Sequence, residues 1–544
     1  MENENFITDI IKLSEKKDVI TRFPPENSGR LHLGHLKAIC LTFEAGNKLG
    51  QGCNLRFDDS NPSTTNQDYA RLIQSDLEWL GFTPRRVHYA SSYFGLMKQF
   101  AVKLIESGDA FVCDLTSDEI AENRGSLTEG GVDSPFKKRT VEENLDLFER
   151  MNNGEFEEGT KSLRLNIDMS SPNLHMRDPI IYRIKKVKHY NLPLSNYNVY
   201  PMYDFAHCIS DSIENISHSL CTLEFEVHRP LYEWILNKLD LHCPRQIEFA
   251  RLNVDYTVMS KRFLRTLVED GIVDGWDDPR MLTIAGMRRR GYPKTALFNF
   301  IDKVGVTKRD TITDMKLLES CIREDLNKTS ERRMAVLNPI KLTVTNYSEV
   351  EVEWLDAVNN PEDENAGTRK IGFSKQLWIE KDDFKIEANS KYKRMSPERY
   401  IRLKYAYIVK CTGYELDENG EVCEVLCEYI PESRSGSGYN EIKAKGTIHF
   451  VAEVSSITAD VRLYDRLFSK ENPLEDEDFR ESINDNSLEV LTGCKLEISL
   501  GNSKPEERFQ FERLGYFCLD SDNDSNPFSK KVFNRTIDLR SNWK

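Results

Sequence analysis

Between Asp18 and Leu80 the chain alternates extended and helical segments joined by links so short that a parallel α/β sheet is the natural outcome. A strand over 18–23 runs into the turn-rich PPENSG, and Leu33, Leu36, Cys40 and Phe43 then fall at helical spacing. A second strand, 53–57, stops at Asp58-Asp59-Ser60-Asn61-Pro62, which is turn and helix-entry chemistry. Tyr69, Leu72, Ile73, Leu77 and Leu80 mark the next helix. In such sheets ligands collect at the carboxyl ends of the strands, so Asp58 stands where a small molecule would bind.

The rest of the chain divides by pattern. Residues 1–17 form an N-terminal extension and 18–105 the first half of a Rossmann-type catalytic domain. From 106 to 199 the text breaks into mixed pieces rich in Gly, Pro and charge, as an inserted module would. Residues 200–262 return to strand–helix alternation, and 263–335 carry a helical pattern. Over 336–544 short β-branched and aromatic runs such as IKLTVTNY, QLWIE and GTIHFV predict an all-β region of two barrels. The stretches 357–369, 431–440 and 471–486 read as exposed loops.

Composition removes some function classes. A net charge of −15 argues against a protein that coats nucleic acid indiscriminately, and residues 341–544 alone carry 29 Lys+Arg against 39 Asp+Glu. Any RNA site is therefore a local basic patch, which screening over about 8 Å permits on an acidic molecule. No apolar run is long enough to span a bilayer, and the N-terminus lacks the basic-then-apolar order of a signal peptide. A soluble, cytoplasmic protein is expected. The 12 cysteines are scattered without zinc-ligand spacing, so reduced and mostly buried thiols are expected, with no tightly bound metal.

Two strings carry chemistry. In FPPENSGRLHLGH, His32 and His35 lie in the first turn of the helix that follows the first strand. A helix N-terminus binds phosphate through its unpaired N–H groups and positive dipole. Two imidazoles on one face add donors that can follow charge building on an α-phosphate. Gly34 removes a side chain where an adenine would lie against the backbone. The same pair could equally be half of a metal site or two capping side chains. In VMSKR, 258–262, Ser260 and Lys261 are placed in a mobile loop that could hold a departing pyrophosphate, the lysine as a point charge on a flexible stem.

Together these strings resemble the HIGH and KMSKS signatures of class I aminoacyl-tRNA synthetases. The surrounding text resembles the glutaminyl-tRNA synthetases more closely still: LRFDDSNP, YPMYDFAHCISD, NISHSLCTLEF, RLNVDYTVMSKR, GWDDPRMLTIAGMRRRGYP and LESCIREDLN, with the likeness running from about residue 18 to the C-terminus. The chain is similar to the compact members that lack a long N-terminal appendage. The resemblance implies a two-step reaction. Glutamine and ATP, with its Mg²⁺, give an adenylate, and the acyl group passes to the 2′-hydroxyl of the terminal adenosine of tRNA(Gln), whose binding typically precedes activation. It also implies that the module at 106–199 binds the acceptor stem and that the barrels bind the anticodon. By motif match, His32, His35 and Lys261 act on the phosphates, and Glu26, Gly34, Arg251, Leu252, Met259 and Ser260 complete the ATP site. Arg22, Asp58, Tyr203, His207, Cys221 and Gln246 line the glutamine pocket, Asp58 taking the α-ammonium and Tyr203 reading the amide.

The resemblance also sets a specificity argument. Glutamate is isosteric with glutamine but charged, so pocket size cannot separate them, whereas mispaired polar groups can. The related glutamyl enzymes typically place Arg where Cys221 stands, and a neutral thiol leaves a buried carboxylate uncompensated. On the RNA side the resemblance assigns Leu127 as a wedge against the first acceptor pair, and Arg332, Lys393, Arg394 and Arg402 as anticodon contacts; Arg369 is a local guess, and the run 288–290 faces either tRNA backbone or solvent. The sequence departs from the family at Asn27-Ser28, at Arg30, and at Val227, where an acceptor-stem reader is usual. A monomer is expected. The rival readings are a glutamyl-tRNA synthetase, a catalytically silent tRNA-binding paralogue and a small nucleotidyltransferase, which shares the HxGH chemistry but has no use for a β-rich RNA-binding half.

Overall fold

A computed structural model describes residues 18–195, 197–522 and 530–540; the extension expected over 1–17 lies outside them. The chain forms two compact units, Met1–Asn253 with Ile301–Thr313, and Val254–Phe300 with Asp314–Lys544.

In the first unit, β1 (Val19–Phe23), α1 (Leu33–Leu49), β2 (Gly50–Phe57), α2 (Gln67–Leu80) and β3 (Val87–Tyr89) follow in order, and the three strands pair in parallel as β1-β2-β3. Every residue of β1 is buried, the signature of a strand covered on both faces. Leu33, Leu36, Ile39, Cys40 and Phe43 form the buried stripe of α1. Gly46 lets that helix lie against β2, since a Cβ there would sit 2.6 Å from the Gly52 backbone. Asn66 caps α2, and Gly81 ends it in the left-handed conformation that glycine adopts without strain.

After α3 (Phe94–Glu106) the chain builds a four-stranded antiparallel sheet in sequence order: β4 (Ala110–Cys113), β5 (Ser162–Leu165), β6 (Ile180–Ile184) and β7 (Val199–Pro201). Two helices, α4 (Ser117–Arg124) and α5 (Val141–Asn152), precede β5, each opened by a threonine–glutamate capping box. The parallel pattern then resumes with α6 (Tyr203–Ile213), β8 (His218–Thr222), α7 (Arg229–Leu239) and β9 (Arg245–Phe249), β8 and β9 pairing in parallel. Ser217 draws β8 alongside β1: its N–H donates to the Ile20 carbonyl at 3.0 Å, and its hydroxyl accepts from the Ile20 N–H at 2.8 Å.

In the second unit the helices are Lys261–Glu269, Ile284–Arg290 and Met315–Thr329, with Lys294–Val304 at its boundary. Two seven-stranded, curled sheets follow. The first, made from strands between 339 and 452, encloses Leu342, Val344, Leu377, Ile379, Val409 and Val425, and its strand Pro339–Val344 alternates half-buried and buried residues. The second is built mainly from 456–538 around Val461, Leu496, Phe511, Phe517 and Phe533. Its two edge strands come from Glu331–Arg333 and Ala335–Val336, so the chain contributes to this sheet both before and after forming the first. Residues 331–336 thus pair as strands, where the sequence pattern predicts helix up to 335; Ser330 ends the helix, and Arg332 pairs in parallel with Gln510. Of the stretches expected as loops, 357–369 contains strand residues at both ends, with 359–367 as its connection.

Candidate active site and RNA-facing residues

The first cluster stands at the N-terminus of α1. His32 is the N-cap, its Nδ1 accepting the Gly34 N–H at 3.1 Å, and His35 Nδ1 accepts the His32 N–H at 3.1 Å. The rings lie 3.8 Å apart. In both imidazoles Nδ1 is the acceptor, which leaves Nε2 as the protonated nitrogen of the neutral ring. The capping alternative open in the sequence is thus realised, and it leaves Nε2 of each ring to donate. Gly34 is needed here because a Cβ would lie 2.9 Å from His32 Cε1, and the Leu252 carbonyl passes 3.7 Å from the same point. The Glu26 carboxylate accepts from the Thr64 hydroxyl at 3.0 Å. Arg251 is exposed, 3.8 Å from Glu224. Of the departures in this motif, Asn27 is buried and donates to the Asn66 carbonyl and the Tyr190 hydroxyl, and Arg30 pairs with Asp76 at 2.7 Å.

The second cluster lies where β1, β2, α6 and β8 meet. Arg22 is fully buried and donates to Asp211 at 3.0 Å, to the Leu220 carbonyl at 2.6 Å, to the Ser219 hydroxyl at 2.8 Å and to His207 Nε2 at 2.7 Å. Arg56, also buried, pairs with Asp211 at 2.6 Å and Glu214 at 3.3 Å. Asp211 further accepts from the Tyr232 hydroxyl at 3.0 Å. Despite its burial, Asp211 is held far below the usual carboxylate range by the two guanidinium groups. Burial lowers the His207 pKa to about 3, more than Asp211 raises it, so this imidazole is neutral. Two arginines and two carboxylates cancel, and the cluster carries no spare positive charge.

Around this cluster lie the expected pocket residues. Tyr203 opens α6 and stacks on His207 at 5.0 Å, 16° between planes. It lies close enough to Asp58, Arg22 and Cys221 for each to act on its hydroxyl, whose pKa is raised chiefly by burial. Asp58 directly follows β2; its carboxylate accepts the Ser60 hydroxyl at 2.7 Å, and burial raises its pKa. Burial pushes the Cys221 thiol up to about 12, so it is uncharged at neutral pH. Gln246 is on β9, its amide donating to the Phe225 carbonyl at 3.1 Å and to Glu248 at 3.2 Å. Arg22, Asp58, Tyr203, His207 and Cys221 thus converge, with Gln246 on the neighbouring strand. Sequence reasoning missed Arg56, Asp211, Glu214 and the buried Lys37, whose pKa burial lowers. The strings LRFDDSNP and CISD contain the first two, without any local sign that they pair across 155 positions.

In the second unit Ser260 is the N-cap of the helix Lys261–Glu269, and Lys261 is its first residue. The loop expected there ends at the N-cap, because Leu264 and Leu267 anchor the helix in an apolar cluster with Val258, Leu467 and Phe468. Ser260 is exposed and its side chain makes no capping bond; Met259 and Lys261 are half-buried.

The RNA candidates differ in placement. Leu127 is 78% exposed at the tip of a loop held from beneath by the buried Arg177, whose guanidinium donates to the carbonyls of Arg124, Ser126, Glu129 and Ser171 at 2.6 to 3.0 Å. Val227 is 52% exposed. Lys393 is exposed, Arg394 pairs with Asp383 at 2.8 Å, and Arg402 donates to the Ser433 carbonyl at 2.9 Å. Arg332 is buried, donating to the Ser330 carbonyl and Asn327. Arg369 is held by Glu497 at 2.8 Å. The run 288–290 is engaged within its own unit: Arg288 pairs with Glu506, Arg289 with Asp277 and Asp520, and Arg290 donates to main-chain carbonyls.

The catalytic domain described as tRNA synthetases class I (E and Q) matches residues 18–328, and the anticodon-binding domains of the same family match 330–430 and 447–520. The chain belongs to this family: it is a class I aminoacyl-tRNA synthetase of the glutamyl/glutaminyl group, a parallel-sheet catalytic domain followed by anticodon-binding β-barrels. Among its relatives, a protein of Clostridium perfringens named glutamine–tRNA ligase is 51% identical over 550 residues, covering 100% of this chain and 99% of its own length. Proteins of the same name from Colwellia psychrerythraea and Clostridioides difficile are 49% and 48% identical, covering 99% and 100% of this chain and 98% of their own lengths. Among the described residues no helix is long and apolar enough to cross a membrane.

Proposed function

We propose that this chain is a glutamine–tRNA ligase, a cytoplasmic monomer that charges tRNA(Gln) through a glutaminyl adenylate. The observation that carries the choice of glutamine is the charge balance of the buried cluster. Arg22 and Arg56 are matched by Asp211 and Glu214, His207 is neutral, and Cys221 is an uncharged thiol. A glutamate side chain would bring a carboxylate into a site with no cation to meet it, and an unpaired buried charge is costly. A glutamine amide needs only donors and acceptors, which Tyr203 and its neighbours supply.

Asp58 holds the α-ammonium at the carboxyl end of β2, leaving the α-carboxylate to attack the α-phosphorus of ATP. His32 and His35 donate from Nε2 to the phosphate oxygens as negative charge grows there. Glu26, Gly34, Arg251, Leu252 and Met259 seat the nucleotide. Ser260 and Lys261, at a helix N-terminus whose first-turn N–H groups suit an anion, take the departing pyrophosphate. The 2′-hydroxyl of the terminal adenosine then attacks the acyl carbon and AMP departs. Leu127 stacks on the end of the acceptor stem, and Lys393, Arg394, Arg402 and Arg332 serve the anticodon side, Arg332 from beneath the surface. Aligning reactants in this way supplies roughly 7–11 kcal/mol of the barrier reduction.

Charging of tRNA with labelled glutamine and, separately, labelled glutamate tests the reading. Glutamine charging with little glutamate charging supports it; preferential glutamate charging, or charging of neither, contradicts it. Sedimentation at low concentration checks the monomer.

A further inference from the structure

Three side chains outside both clusters converge on one point. His175 lies in the single helical turn Leu174–Met176, Asp204 in the first turn of α6, and His228 at the end of the turn Leu223–His228 that leads into α7. His228 Nδ1 and an Asp204 carboxylate oxygen are 2.8 Å apart, and the His175 and His228 ring centroids lie 3.8 Å apart with their planes tilted by 37°. One nitrogen from each imidazole and one carboxylate oxygen all fall within 4.8 Å of one another, and all three side chains are half-buried. The turns that carry them are already tied together, because the Asn173 side chain donates to the Val227 carbonyl at 2.7 Å.

Two adjacent imidazoles beside a carboxylate form a donor set for a borderline-soft divalent ion, and hard cations such as magnesium prefer all-oxygen sites. Tetrahedral zinc places its ligand atoms about 3.4 Å apart, given metal–ligand bonds of about 2.0–2.1 Å. Pairs up to 4.8 Å apart therefore close by about 1.4 Å at most and the 2.8 Å His228–Asp204 pair opens by about 0.6 Å, both within the reach of side-chain rotation. Phe225 packs against His228, its ring centroid 5.5 Å away, and shields one side of the cluster.

We propose that His175, Asp204 and His228 form a binding site for a zinc-class divalent transition-metal ion, with a fourth position left to solvent or a ligand. The ion takes the place of the proton shared between His228 Nδ1 and Asp204, and that proton moves to Nε2 of the same ring. Bound there, it cross-links the Leu174–Met176 turn to the N-terminus of α6 and to the turn preceding α7. Tyr203 and Arg229 are the chain neighbours of two of its ligands, so the cross-link stiffens the pocket side of both helices. The site is independent of the charging reaction, and its test reads metal binding alone.

The experiment is titration of chelator-treated full-length protein with Zn²⁺ by calorimetry and with Co²⁺ by visible absorption, alongside His175→Ala, His228→Gln and Asp204→Asn. His242→Ala, an exposed histidine elsewhere, is the control. The expected result is one ion per chain with a tetrahedral cobalt spectrum lacking thiolate charge-transfer bands, and a rise in the thermal midpoint with Zn²⁺. Each ligand variant weakens binding about ten-fold or more, since loss of even a group that only orients a ligand costs that much, and the control is unchanged. Unaltered affinity in His175→Ala, or a cobalt–thiolate signature pointing to exposed Cys243 or Cys423, overturns the proposal. Should one variant fail to fold, the other two read the same site.

Discussion

His207 shows how much of this molecule's behaviour is set by a single neutral ring. Its pKa in the folded chain is about 3, against an ordinary value near 6.5, so between those values the unfolded chain binds a proton that the folded chain refuses. The stability it contributes is complete above about pH 6.5 and is lost as pH falls toward 3, at up to about 1.4 kcal/mol per pH unit for the one proton. The thermal midpoint followed from pH 7 to pH 4 will therefore fall more steeply in the wild type than in His207→Gln; parallel slopes would refute this. Asp58 leads to a second pH effect. As the proposed partner of the α-ammonium, its carboxylate, with a raised pKa, is protonated at a higher pH than an ordinary aspartate, so kcat/KM for glutamine declines on acidification earlier than an unperturbed aspartate allows. Cys221→Arg supplies the missing cation: glutamine charging relative to glutamate charging falls by about 100-fold or more, measured as the ratio of the two kcat/KM values. At this scale the sequence is legible wherever a residue sits in a long distinctive string, as His32, Asp58, Tyr203 and Cys221 do. It is silent on Arg56, Asp211 and Glu214, whose meaning comes from long-range pairing between β2 and the C-terminal end of α6.

At the scale of elements, the N-terminus of α1 and the loop around Leu127 are the parts whose geometry is built rather than inherited from local propensity. Gly34→Ala places a Cβ within 2.9 Å of His32 Cε1 and turns the ring that carries the donor. Because misplacement by an ångström can cost about 100-fold, charging by this variant drops toward that factor while its thermal midpoint stays close to wild type. Arg177 is the corresponding device under the Leu127 loop. Removing its hydrogen bonds to four carbonyls by Arg177→Ala frees the loop, so amide exchange over 124–131 quickens and KM for tRNA rises while KM for glutamine is unchanged. Hydrophobic period and turn chemistry make β1, α1, β2 and α2 readable from sequence alone, since each is complete within about 20 residues. The start of the helix at Lys261 is not readable in this way, because its anchors Leu467 and Phe468 lie some 200 positions downstream.

For the whole molecule, the sequence divides correctly into a parallel α/β part and an all-β part, because strand period and residue type differ plainly between them. It does not reveal that residues 331–336 supply both edges of the sheet completed by 456–538, since a parallel pairing of Arg332 with Gln510 leaves no local trace. The same holds for the arginines at 288–290, expected to face either tRNA backbone or solvent, which serve as ties within their unit. An acidic chain can still bind one RNA when its exposed cations are few and placed, and here that RNA and one amino acid are joint substrates. The most direct test of the central claim is charging of total tRNA with labelled glutamine and with labelled glutamate by wild type and Lys261→Ala. The predicted result is glutamine charging by the wild type, little glutamate charging, and a loss of roughly 100- to 1,000-fold in the variant with tRNA binding retained. Preferential glutamate charging, or full activity in Lys261→Ala, would contradict it.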